Sequence, residues 1–387
     1  MRTIGWMVIG LCVLLCGVST GFGEAVVIVS TGDASPDGNG TISYLDTPVL
    51  NDSGQVVLDV DLESTVGGLL DDAGIFLGTG GGLTQVVREG QAAPDANGTF
   101  SGPSAARLND SGQVAFEAYL AGTSGAPNDN EGVFRGAGGP VVRVVRAGQA
   151  CPDGNGVFNY FEDYDINNSG QVMVHAMLSN TSDNSGIFLE SSGVVTRVVR
   201  KNQAVPDGNG VYSMLYDPAL NDQGQVVFFA NLAGTSGGSA DNGGIFRGSG
   251  GLVTRIAREG QPAPDGIGTF SAFGLTYALN DSGRAAFVGY LDGTVGGASD
   301  NSGVFSGFGG ALTQIARRGQ LAPDGNGVFG DFAHPLINNV GQAVFRSYLL
   351  SSIGGTNDDV GIYRGLGGGC YADCPGRTTG SRWRRNS

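Results

Sequence analysis

The sequence predicts an all-β protein, a six-bladed β-propeller of four-stranded blades, from a recurring set of markers, a two-residue periodicity and a permuted pair of chain ends. The phrase Leu-Asn-Asp-Ser-Gly-Gln, or a near copy, places an Asn at 51, 109, 167, 221, 280 and 338. Pro-Asp-Gly-Asn-Gly or a close variant places an Asp at 37, 95, 153, 207, 265 and 324. Gly-Ile-Phe or a relative begins at Gly74, Gly132, Gly186, Gly244, Gly303 and Gly361. Three markers in fixed order define six units of about 58 residues. Inside a unit Leu58, Val60 and Leu62 alternate with Asp59 and Asp61, the pattern of a strand with one buried face. The place of Leu58 recurs as Phe116, Val174, Phe228, Phe287 and Phe345, whereas its neighbour is Asp59, Glu117, His175, Phe229, Val288 or Arg346. That neighbour is expected to face undemanding surroundings.

Taken in order, the chain opens with Arg2, an apolar run over residues 4–18 and the small residues Gly21, Gly23 and Ala25. This reads as a secretory signal peptide over residues 1–25, too short for a stable membrane span. Val26-Val27-Ile28-Val29 then aligns, by its distance to Pro36, with Gln85-Val86-Val87-Arg88, the fourth strand of a unit. One whole unit shows four strand-like segments, over residues 99–108, 113–120, 132–136 and 141–146. Asn109-Asp110-Ser111-Gly112 suits a tight hairpin between the first two, because Asn caps its own turn and Gly takes positive φ freely. The last unit ends in glycines after its third strand. One strand is thus extra at the start and one missing at the end. A ring accounts for that permutation, with the N-terminal strand completing the last sheet; an open β-array is the alternative. The predicted organisation is a signal peptide over 1–25, a six-repeat propeller over 26–368, and a Cys-containing basic tail, expected to be disordered, over 369–387.

Composition narrows the function classes. Glycine supplies 70 of 387 residues, and the net charge is -15 with a single lysine, Lys201. A turn-rich, acidic chain without a basic face argues against a nucleic-acid partner. An exported, soluble monomer is expected, located outside the cell, in a periplasm or at the cell surface. After signal removal three cysteines remain, of which Cys370 and Cys374, four apart, are a disulfide candidate. Cys151 stands where other units carry Ser35, Ala93, Val205, Ala263 and Ala322, so it reads as a small buried residue before a reactive thiol.

The Asn-x-x-Gly-x-x-Ala-Phe core, cleanest at Asn109, Gly112, Ala115 and Phe116 and at Asn280, Gly283, Ala286 and Phe287, resembles the bacterial exported tandem-repeat proteins called after that motif, the choice-of-anchor type. The resemblance covers roughly residues 26–369 and implies export and varied C-terminal anchoring segments, with no activity attached. The tail departs from such anchors: after Cys370-Tyr-Ala-Asp-Cys374 it turns basic, as expected of a Cys-led, Asp-rich module lost to truncation or a frame change.

Ring geometry assigns the acidic loops to one face. Asp37, Asp95, Asp153, Asp207, Asp265 and Asp324 are the candidate metal ligands there, together with Asp72, Asp129, Asp183, Asp241, Asp300 and Asp359. Calcium fits because it takes six to eight oxygen donors, although the same residues serve in turns everywhere, and the turn role is favoured. Arg88, Arg146, Arg200, Arg258 and Arg317 recur at the end of the fourth strand, with Ser30 near the corresponding place. Pairing with a nearby Asp is favoured over an anion-binding girdle. Only His175 and His334 are present, in different units, so no Ser-His-Asp or Cys-His arrangement is indicated and no catalytic residue is assigned. The expected function is a secreted or surface binding scaffold for a glycan or protein, stabilised by calcium. The alternatives are a metal-dependent hydrolase of the lactonase or phytase-like propeller type and a structural envelope protein. Carboxylates that break the six-fold pattern would favour the enzyme.

Overall fold

A computed structural model describes residues 25–367. Residues 1–24 of the expected signal peptide, and the disulfide candidates Cys370 and Cys374, lie outside the described residues. The second unit shows the plan: Thr99–Leu108, Val114–Ala121, Glu131–Gly136 and Val142–Arg146 form one antiparallel sheet, hydrogen-bonded in chain order. Units three, four and five repeat it. In the first sheet the inner strand is broken into Thr41–Leu45 and Val49–Leu50, both pairing with Val56–Glu63. The sixth sheet holds Val328–Ile337, Ala343–Leu350 and Val360–Gly365, and among the described residues no fourth strand pairs with the last of them. The protein is therefore all-β, a succession of six propeller blades, with the strand boundaries close to those read from the repeats.

Local chemistry explains each turn. Asn109 accepts the N–H groups of Ser111 and Gln113 on its side-chain oxygen, at 3.1 and 2.8 Å, while Gly112 sits at φ +76° and donates to the Asn109 carbonyl. Gly132, which opens the third strand, has no room for a side chain. A Cβ there would lie 2.9 Å from both the Phe134 ring and the Val145 carbonyl.

Packing runs between sheets as well as within them. Phe100, Phe116 and Phe134 form a fully buried trio, with ring centroids 4.9 to 5.9 Å apart. They pack against Val57, Ile75, Val86 and Val87 of the preceding sheet. Each seam thus joins an aromatic back face to an aliphatic front face, and each buried large side chain contributes about 1.5–3 kcal/mol. First strands of neighbouring sheets approach one another and so lie innermost. The position of Asp59 proves more demanding than the sequence indicated. It lies at the seam, where Asp59 accepts the Ala105 N–H of the next sheet at 2.7 Å, and burial raises its carboxyl above the ordinary range.

A second relay crosses the seams near the axis. The Asn51 side-chain amide donates to the Asn109 carbonyl, Asn109 to Asn167, Asn167 to Asn221, Asn221 to Asn280 and Asn280 to Asn338, all at 2.8 to 2.9 Å. Among the described residues the corresponding amide of Asn338 reaches only Gln342 of its own turn. No strand pairing or hydrogen bond between described residues joins the sixth sheet to the first.

Candidate functional site

On the face of the longer loops, the candidate aspartates are engaged from within. Arg88 donates through Nη1 to both Asp37 oxygens at 2.8 and 2.7 Å, through Nε to the Asp71 carbonyl at 3.0 Å, and through Nη2 to the Asn39 carbonyl at 2.6 Å. Arg146 holds Asp95, Arg200 holds Asp153 and Arg258 holds Asp207 in the same way, and Arg317 holds Asp265 through one of its oxygens. The expected pairing with aspartate is present, and these arginines are buried. A buried guanidinium satisfied by three acceptors ties the loop entering the inner strand to the end of the outer strand, and such charge-assisted bonds are strong. Burial works to raise the Asp37 carboxyl. The Ser35 hydroxyl, the Asn39 N–H and the Arg88 charge outweigh it and hold the group below its ordinary value.

Asp324 is the exception. It caps the Asn326 N–H at 3.1 Å but meets no arginine among the described residues. The second set of loop aspartates also needs a register correction. Asp71 and Asp358, not Asp72 and Asp359, match Asp129: Asn39, Asn97 and Asn326 donate to their carboxylates at 2.7, 2.9 and 3.0 Å. Asp71 and Asp358 keep the interval of 32 residues from the donating Asn that Asp129 shows, and Asp72 and Asp359 fall one residue beyond it. Among the described residues no group of three or more His, Cys, Asp or Glu side chains is arranged to hold a metal ion.

The two histidines stand apart. Buried His175 has its Nε2 3.2 Å from the Ser185 hydroxyl and 3.3 Å from a Glu162 oxygen. Because serine and carboxylate meet the same ring nitrogen, the acid does not orient the ring for the serine as a catalytic triad requires. Burial lowers the imidazole to about 4, so it is neutral at pH 7. His334 is exposed on the inner strand of the sixth sheet, at φ +50°. Cys151 is a buried free thiol pushed up by burial, as its small neighbours in other units implied.

Carboxylates without an ion pair gather instead at the axis, on the short-turn face. A pit of about 410 Å³ is collared by Leu108, Ile166, Leu220, Leu279 and Ile337 and ringed by the Asn turns of units two to six. Each residue after the repeated Asn caps the unit before it: Asp110 accepts from the Asp52 N–H, Asn168 from Asp110, Asp222 from Asn168, Asp281 from Asp222 and Asn339 from Asp281. Hydrogen bonds hold Asp110, Asp222 and Asp281 in place, yet no cation neutralises them among the described residues. Beside the pit the inner strands break the six-fold pattern, since Arg107 and Asp217 act on Asp163, and Arg107 and Asp163 on Asp165. Burial raises Asp165 to about 6. The sequence reading missed this ring. The available signal was that Asx follows the repeated Asn in every unit, although the turn role alone already accounted for it.

Six repeated antiparallel sheets with an axial pit place the protein among the β-propellers by architecture. The chain belongs to the family of unknown function DUF7453, whose model matches residues 17–185 and again 179–365, in keeping with the internal repetition. Among curated proteins no significant match is found. Among solved structures it is similar to the β-propeller domain of the Trilobed protease from Pyrococcus furiosus, at 9% identity and TM-score 0.42, covering 84% of this chain and 82% of that one. Similarity to an oligogalacturonate lyase in complex with manganese is 12% in identity with TM-score 0.43, covering 88% and 81%. Similarity to Trypanosoma rangeli sialidase is 10% with TM-score 0.35, covering 87% of this chain and 57% of that one. At such identities and TM-scores nothing of their chemistry transfers.

Proposed function

We propose that the protein is an exported binding scaffold that takes a basic ligand, a lysine or arginine side chain of a peptide, into the axial pit. The observation that supports this is the contrast between two sets of carboxylates. Five of the loop aspartates are spent on buried arginines, whereas Asp110, Asp222 and Asp281 ring an apolar collar with no cation opposite them. An ammonium or guanidinium on an aliphatic stem fits a charged rim above an apolar wall. The net charge of -15 would draw such a ligand in from solution. The acidic loop face, first expected to bind, serves in this reading as the frame that sets the blades. Export and the resemblance to exported tandem-repeat proteins belong to the same proposal.

Calorimetric titration with a lysine-rich peptide at low and high salt tests the reading. Binding that weakens with salt and is lost in Asp222→Asn/Asp281→Asn supports it, and binding indifferent to both changes overturns it. Thermal melting with calcium and with a chelator addresses the calcium proposal in parallel. A melting temperature unmoved by either removes calcium as a stabiliser.

A further inference from the structure

We propose that residues 26–30 become the fourth strand of the sixth sheet by pairing with Val360–Gly365, and that this sheet docks on the first, closing the blades into a ring. Four observations converge. Ile28 and Val29 already lie against the core of the first sheet, as Val86 and Val87 lie against the second. A Cβ on Gly78 would meet Ile28 at 3.2 Å, as one on Gly136 would meet Val86 at 3.1 Å. The N-terminal residues therefore occupy the place that an outer strand takes at the next seam, one residue out of step with the sequence alignment: Val29 stands for Val87 and Ser30 for Arg88.

The sixth sheet shows the complementary vacancy. Ile362 is 62% exposed, whereas its counterparts Ile75, Val133, Ile187, Ile245 and Val304 are all at 0%. Extending the register Ile75↔Val87 and Leu77↔Thr84 by the repeat sets Ile362 opposite Val29 and Arg364 opposite Val26. That would cover both an apolar face and an open edge.

The polar relays match too. Asn338 is left with an unspent cross-seam donor, and the Asn51 carbonyl is the equivalent of the carbonyls that accept at the other five seams. Likewise the Asn339 N–H would meet the Asp52 carboxylate. Arg135 and Arg247 reach the Gly170 and Gly283 carbonyls of the next turn, and Arg364 stands at the equivalent place to reach Gly54. The partner is this chain and not a second copy, because four seams of like geometry already bring units two to six around one pit. Tethered ends that face the same gap meet at a high effective concentration.

The test uses a Val29→Cys/Ile362→Cys chain, mixed light and heavy in isotope before mild oxidation, with cross-linked peptides read by mass spectrometry. A pair formed within one label is expected. A light–heavy pair, showing a second copy, or no pair, leaving the edge to another segment, overturns the proposal. An independent readout is Ser30→Arg, which would restore the clamp on Asp324. We expect Tm to rise by about 3 °C, with the rise abolished in an Asp324→Asn background. No rise, or a rise that persists without Asp324, counts against closure.

Discussion

Arg146 grips Asp95 across 51 residues of sequence, its Nη1 lying 2.9 and 2.8 Å from the two carboxylate oxygens. The same guanidinium takes the Asp129 carbonyl at 2.6 Å and the Asn97 carbonyl at 2.9 Å. Arg146→Met strands two carbonyls and takes the buried partner from a carboxylate that the more exposed Arg143 still holds at 2.9 Å. A loss of about 2–3 kcal/mol is expected, below the full figure for a buried pair because Asp95 is partly exposed. Asp324→Asn, which removes no arginine pair, should change stability by less than about 0.5 kcal/mol. Urea melts of the two variants give the comparison, and equal losses would show that the guanidinium is not the clamp.

Acid should dismantle the clamps together. Asp37, Asp95, Asp153 and Asp207 are held below their ordinary value of 3.8 in the folded chain. Depressed carboxylates contribute stability that is fully present above the unfolded value and is lost as pH falls through the folded one. Stability followed by denaturant midpoints should therefore drop steeply below about pH 4. Arg146→Met should flatten part of that drop.

Glu117 works in the opposite sense. Burial, then the charge and hydrogen bond of Glu131, raise it from 4.5 to about 7. The folded chain keeps this proton longer than the unfolded one, so stability is greatest below about pH 4.5 and declines as pH climbs to about 7. Glu117→Gln should remove that decline and gain on the order of 1 kcal/mol at pH 8, a value discounted because the side chain keeps some contact with solvent. A melting curve series across this range decides it, and an unchanged slope would sink the assignment.

Two tyrosines pin particular seams. The Tyr164 hydroxyl donates to the Ala105 carbonyl at 2.6 Å and accepts the Glu117 N–H at 3.0 Å, and Tyr277 does the same work between the fourth and fifth sheets. Tyr164→Phe and Tyr277→Phe should each cost about 1–2 kcal/mol. Hydrogen exchange should show faster opening at the Glu117 and Phe229 amides respectively, with the other seam unaffected.

Strand positions were legible because alternation and turn chemistry are local, and the boundaries read from residues 99–146 hold in the structure. The arginine clamp was half legible: the residues recur visibly, but their burial depends on how two loops fold over a sheet edge. Asp71 was misread for Asp72 although the spacing separates them: Asp71, Asp129 and Asp358 each follow the Asn that donates to them by 32 residues. The axial ring of Asp110, Asn168, Asp222 and Asp281 was hidden for a different reason. A residue that makes its own turn gives no sign that it also caps the unit before it.

The Asn-to-Asn relay has a direction: each of units two to five hands a donor forward and receives one from behind on the same two kinds of atom. Neither unit at a seam is specialised to its neighbour there. A duplicated or deleted unit would find compatible partners on both sides, so copy number is free to change by recombination without any new contact having to be invented.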